Sequence, residues 1–185
     1  MIGSVFALGE GTALARPPLD ELDSGKALYQ RIGKAAAQRN NIPFAIVDAV
    51  MRVESGYNPQ ARGDVGEVGL MQILPSTADY IARKSGGTAF EQGDLATPQI
   101  NIAYGSWYLR YLLQHYHGNE LLALAAYNAG EGKVDEWYRR ASARGEDFEV
   151  ATHIPFPETR SYVGSVLEVR GRYRQEYRKE LGLDP

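Results

Sequence analysis

From Ser24 onward, apolar residues recur at three- and four-residue intervals, the rhythm of helices that each bury one face. Ser24 to Gln38 opens the series with a serine suited to cap it. Pro43 to Glu54 follows: Pro43 fits a first helical position, Val47, Val50, Met51 and Glu54 share one face, and Gly56 stops the run. Tyr57 to Gly69 breaks the rhythm with Pro59, Gly63, Asp64, Gly66 and Gly69, which predicts an irregular loop or a small hairpin around Gly63-Asp64 and Gly66-Glu67. Helix resumes from Pro75 to Lys84 and ends at Gly86-Gly87. Thr97-Pro98, a cap followed by a first-turn proline, opens a long helix through Tyr104, Trp107 and Tyr111 towards His117, with Gly118 as its stop. Leu121 to Gly130 is apolar on nearly every side, so this helix belongs at the centre. Gly132 to Arg144 predicts a further short helix, and Pro157 to Lys179 an amphipathic one with Tyr162, Val166, Val169, Tyr173 and Tyr177 inward. With neither repeats nor alternating strands, the pattern gives an all-α domain of about seven to nine helices.

Composition narrows the classes. A chain of 185 residues, 44% of them hydrophobic, suffices for one domain with its own core. A formal net charge of -3 offers no basic field for nucleic acid, and no apolar run is long enough to span a bilayer. Without Cys there is neither a disulfide framework nor thiolate chemistry, which fits a reducing compartment or an envelope protein that needs no staples. Residues 1–23 read as a lead or linker before a domain spanning 24–185; Ala13-Leu14-Ala15 has the look of a signal cleavage site, but the basic start is missing and Glu10 interrupts the apolar patch. His115 and His117 close the long helix, where they suit its dipole, and no further ligand stands near them in the chain, so neither a metal nor another cofactor is expected. Arg170, Arg172, Arg174, Arg178 and Lys179 alternate with Glu168, Glu176 and Glu180, as on a solvated face where Glu168 pairs with Arg172 one turn on.

The chemistry-bearing candidate is Glu54. It ends an inward face, and the last turn of a helix carries the negative end of the macrodipole. Burial and dipole both favour the neutral acid, the state a proton donor needs. Position alone also allows Glu54 to bend out to water or to answer a nearby Arg. The run Gly69-Leu70-Met71-Gln72-Ile73-Leu74-Pro75 suits a groove floor, where a glycine lets backbone and substrate approach, though Met71, Ile73 and Leu74 equally suit a core. Tyr127-Asn128-Ala129-Gly130 places a phenol and an amide at the end of the most buried helix, where the phenol can also simply satisfy a carbonyl. Ile154-Pro155-Phe156-Pro157-Glu158-Thr159-Arg160 brings an acid and a base into the first turn of the last helix.

In order and spacing, Glu54-Ser55, Gly69-Leu70-Met71-Gln72, Ala126-Tyr127-Asn128-Ala129-Gly130 and Ile154 to Val163 resemble the soluble lytic transglycosylases of the goose-type-lysozyme-like fold, over about Ala27 to Tyr173. The resemblance implies a lysozyme-like helical domain whose cleft binds the glycan strands of peptidoglycan, in the bacterial envelope or periplasm or on a phage. It implies one catalytic residue, Glu54, acting as acid and then base on the bond between N-acetylmuramic acid and N-acetylglucosamine to leave a 1,6-anhydromuramyl product. By the same analogy Met71, Gln72 and Tyr127 contact the sugars, Glu158 sits across the cleft with Arg160 steadying it, and Ser55 and Asn128 hold a helix end and a loop. Asp64 and Glu67, in the loop after Glu54, leave open a lysozyme-type hydrolase whose second carboxylate places a water. A non-catalytic wall-binding module is the alternative from another class.

Overall fold

The computed structural model describes residues 24–86 and 91–180; the lead at 1–23 and its cleavage-like pattern lie outside the described residues. Among the described residues eight α-helices follow one another: α1 Ser24–Asn40, α2 Phe44–Ser55, α3 Pro75–Ser85, α4 Pro98–His115, α5 Glu120–Ala129, α6 Glu131–Ala143, α7 Val150–His153 and α8 Pro157–Glu180. A 3-10 helix, Gln92–Ala96, precedes α4. Among the described residues extended backbone amounts to two isolated bridges, Arg62 with Val68 and Val68 with Ile73, in the loop between α2 and α3.

The core forms around α5. Leu122, Ala123, Leu124, Ala125 and Ala126 are all buried, as a helix apolar on every side requires, and α4, α6 and α8 pack around it. Its start is secured by Asn119, whose side chain accepts from the Leu122 amide at 3.2 Å and so satisfies one of the donors a helix leaves open. On the other side of α8 lies α2, which brings Ile46, Val47, Val50 and Met51 into the same core. Each such side chain taken from water stabilises the fold by roughly 1.5–3 kcal/mol. A buried acid, Asp48, joins α2 to α1 by accepting from Gln30 Nε2 at 3.0 Å; burial raises its pKa, against the hydrogen bonds from Gln30 and Tyr57.

Several boundaries differ from the expectation for local reasons. Pro43 caps α2 from outside rather than opening it, in the extended conformation its ring permits. The long helix stops at His115, because His117 and Gly118 turn left-handed, at φ 51° and 84°. Arg170 is not on a solvated face: its Nη1 meets Glu120 Oε2 of α5 at 2.5 Å. The Glu168 and Arg172 pair one turn apart is present at 3.6 Å.

Candidate functional site

Glu54 is the penultimate residue of α2, on the turn where the core face meets a cleft of about 410 Å3 open to solvent. Glu67, Gln72, Ile73, Leu74 and Thr77 line that cleft together with Tyr108, Tyr127 and Asn128. The irregular loop between α2 and α3 supplies much of this wall, and its shape is set from beneath by one buried amide. Asn101, in the first turns of α4, accepts from the Met71 amide at 2.8 Å. Its Nδ2 donates to the carbonyls of Val68 at 2.7 Å and Leu95 at 3.0 Å. Gly69 has to be glycine here: its φ is 79°, and a Cβ would stand 2.6 Å from Asn101 Nδ2. Gln72 then adopts a left-handed φ of 46° and donates from Nε2 to the Gly69 carbonyl at 2.8 Å, which turns its side chain to the cleft.

Burial decides the state of Glu54. It raises the pKa from the ordinary carboxylate value to about 7, helped by the charge of Glu67 and opposed by the Tyr162 hydroxyl. That hydroxyl is buried without a partner at regular hydrogen-bonding geometry, so its contact with Glu54 is long or oblique. Tyr127 and Tyr162 stay neutral phenols, their pKa raised well above the usual value by burial and then by the nearby acid. The arrangement can therefore hold a proton at Glu54 near neutral pH and present it to a ligand in the cleft.

The remaining expected residues fall into three places. Gln72, Tyr127 and Asn128 line the cleft with Glu54. Tyr127 also satisfies a carbonyl, donating to that of Met71 at 2.9 Å, so its oxygen lone pairs are what face the cleft. Ser55 and Asn128 make ties between elements: Ser55 Oγ donates to the Leu70 carbonyl at 2.8 Å, and Asn128 Oδ1 accepts from the buried Thr159 hydroxyl of α8 at 2.8 Å. Met71, expected against the sugars, has its side chain fully buried instead. It fills the space over Gly105, where a Cβ would come within 2.5 Å of its sulfur. Arg160 does not steady Glu158; its Nη1 donates to the Ile154 carbonyl at 2.5 Å and braces the turn before α8. Glu158 stands exposed at the start of α8, outside the cleft lining.

Sequence reasoning passed over Thr77, Tyr108 and, as a neighbour of Glu54, Tyr162. The signal for Tyr162 was its inward register on α8; Tyr108 shares α4 with Tyr111 and lines the cleft with its ring tilted against that of Tyr127, centroids 5.7 Å apart. The chain offers His115 no further ligand close by in sequence, yet folding brings Glu131 and Asp135 of α6 to its ring.

A helical domain whose polar, tyrosine-walled cleft holds a half-buried acid of raised pKa is the class defined by this geometry. Residues 31–149 match the Transglycosylase SLT domain family, and the chain belongs to it. The soluble lytic murein transglycosylase of Escherichia coli K12 is 36% identical over 147 residues, 79% of this chain and 23% of that protein. Among solved structures, the 70 kDa soluble lytic transglycosylase of Escherichia coli superposes with a TM-score of 0.73 at 35% identity, covering 80% of this chain and 24% of that one. An inactive glutamate-to-glutamine variant of the Pseudomonas aeruginosa lytic transglycosylase Slt gives 0.72 at 32% identity, covering 87% and 26%. The chain thus spans about a quarter of the length of these relatives.

Proposed function

We propose that this domain is a peptidoglycan lytic transglycosylase of the bacterial envelope, cleaving the β-1,4 bond between N-acetylmuramic acid and N-acetylglucosamine with Glu54 as its one acid and base. The observation that carries the reading is the pKa of Glu54, held at about 7 by burial at the edge of the cleft. A residue that both gives and takes a proton works best when its pKa lies near the working pH. Protonated Glu54 gives its proton to the glycosidic oxygen as the bond to the muramyl C1 breaks, and the leaving sugar departs with a hydroxyl. The muramyl acetamido oxygen supports the cationic C1, the part a second carboxylate plays in other glycosidases. Tyr127, whose hydroxyl proton is committed to Met71, can hold that group by accepting from its N–H. The Glu54 carboxylate then takes the proton of the muramyl C6 hydroxyl, O6 bonds to C1, and a 1,6-anhydro ring closes. Glu54 ends protonated as it began, and no water is consumed.

Glu67 supports a second reading within the same bond. It lines the cleft and its charge reaches Glu54, so it could place a water for hydrolysis. Mass spectrometry of digested peptidoglycan separates the two. Transglycosylation yields muropeptides lighter than hydrolysis products by one water, and products with only reducing ends would overturn it. Glu54→Gln is expected to lower the rate of wall clearing at least about a hundredfold, the usual share of a general acid. A parent protein that binds peptidoglycan without cutting it would make the domain a binding module instead.

A further inference from the structure

Away from the cleft, the C-terminal end of α4 meets the first turns of α6 through charged and aromatic side chains. His115 Nε2 lies 3.0 Å from Asp135 Oδ1, and its Nδ1 lies 3.9 Å from Glu131 Oε1. One donor atom from each of the three residues can be chosen so that all lie within 4.8 Å of one another. Two phenols hold the acids in place: Tyr111 donates to Glu131 Oε1 at 3.1 Å and Tyr116 to Asp135 Oδ1 at 3.0 Å. His115 itself is fixed between the same rings, edge-on to Tyr116 at 4.6 Å and stacked near Tyr111 at 6.2 Å.

We propose that His115, Glu131 and Asp135 form a binding site for a divalent transition-metal ion of the Zn2+ type, which pins α6 to the end of α4. Three features argue for a cation. Glu131 and Asp135 are one turn apart on the same helix face, where like charges repel, and both are only partly exposed, at 28% and 35%. A protonated histidine would balance one of the two charges, whereas a dication beside neutral histidine balances both. The phenols bond Oε1 and Oδ1, the carboxylate oxygens that face His115, and hydrogen bonds of this kind orient the ligands of metal sites.

The donor set selects the class of ion. An imidazole nitrogen with two carboxylates suits Zn2+ and its neighbours, while Ca2+ and Mg2+ favour all-oxygen shells. Bonds of about 2.0–2.2 Å place tetrahedral ligands roughly 3–3.5 Å apart. His115 and Asp135 already stand near that spacing, and one donor atom of Glu131 lies within 4.8 Å of both. In a chain without cysteine, such a site would do the work of a staple between the two helices.

The test is calorimetric titration of the purified 185-residue chain with Zn2+, and separately with Mg2+, after treatment with a chelator. One saturable Zn2+ site per chain is expected, with a raised thermal midpoint and no comparable response to Mg2+. His115→Gln and Asp135→Asn should each abolish it, Tyr116→Phe should weaken it about tenfold, and His117→Gln should leave it intact. Histidine imidazole resonances of the unmutated protein provide a check that needs no variant: Zn2+ should move those of His115 and spare those of His153. Absence of saturable binding, or equal affinity in the parent and His115→Gln, would overturn the proposal.

Discussion

Two neighbours pull the acidity of Glu54 in opposite directions, and this makes its role testable one side chain at a time. Glu67 disfavours the carboxylate through its own charge, while the Tyr162 hydroxyl favours it. Activity that requires the protonated acid falls as pH rises through about 7, where Glu54 loses its proton. In Glu67→Gln the repelling charge is gone, Glu54 ionises more readily, and this alkaline limb should move to lower pH. In Tyr162→Phe the supporting hydroxyl is gone, and the limb should move to higher pH. Rate against pH for the three proteins checks both shifts together; a limb that stays put in both variants would mean that another group sets it. The acid itself was legible in the sequence because an inward face ended in a carboxylate. Its modulators were not. Glu67 stands in a loop whose path depends on Asn101, and Tyr162 arrives from the far end of the chain, so no local pattern could pair either with Glu54.

At the level of elements, the cleft depends on a loop with almost no regular structure. Helix faces were readable from period alone: α2, α3, α5, α6 and α8 begin and end within one residue of where the pattern places them, and α1 and α4 within two. The short pieces were not readable: α7 has four residues and the 3-10 helix five, too few to show a period. The loop announced itself by its glycines, but not the buried amide that shapes it. Asn101 occupies an otherwise helical register on α4, and what marks it as a bracket is that its partners Val68, Met71 and Leu95 belong to other segments. This also explains why Met71 faces inward: with its amide held by Asn101, its side chain fills the space over Gly105 while its carbonyl meets Tyr127. Gly69→Ala should therefore damage both fold and cleft, since the new methyl meets Asn101 and the backbone is left-handed. A loss of about 2–4 kcal/mol in denaturant unfolding is expected, with activity falling further than stability alone accounts for. A variant as stable and active as the parent would show that the bracket can yield.

For the whole molecule, an acid kept neutral by burial imposes a dependence of stability on pH that catalysis does not require. Unfolded, Glu54 titrates near the model-peptide value of 4.5; folded, it titrates near 7. Between these values the native state retains a proton that the unfolded state has released, so stability is full below the lower value and drains as pH rises to the upper one. Above about pH 7 the whole deficit stands, on the order of 3 kcal/mol for a shift of this size. Glu54→Gln keeps a neutral side chain of the same shape at every pH and escapes the loss. The other buried acid, Asp48, also has a raised pKa, but it is common to both proteins and cancels in their difference. The variant should match the parent's thermal midpoint near pH 4.5 and exceed it by roughly 6–12 °C near pH 8, as such an energy does in a domain of this length. Melting curves across that range decide it. A gap that is constant with pH would mean that Glu54 ionises alike in the folded and unfolded chains, and the acid would then lack the property on which its proposed chemistry rests.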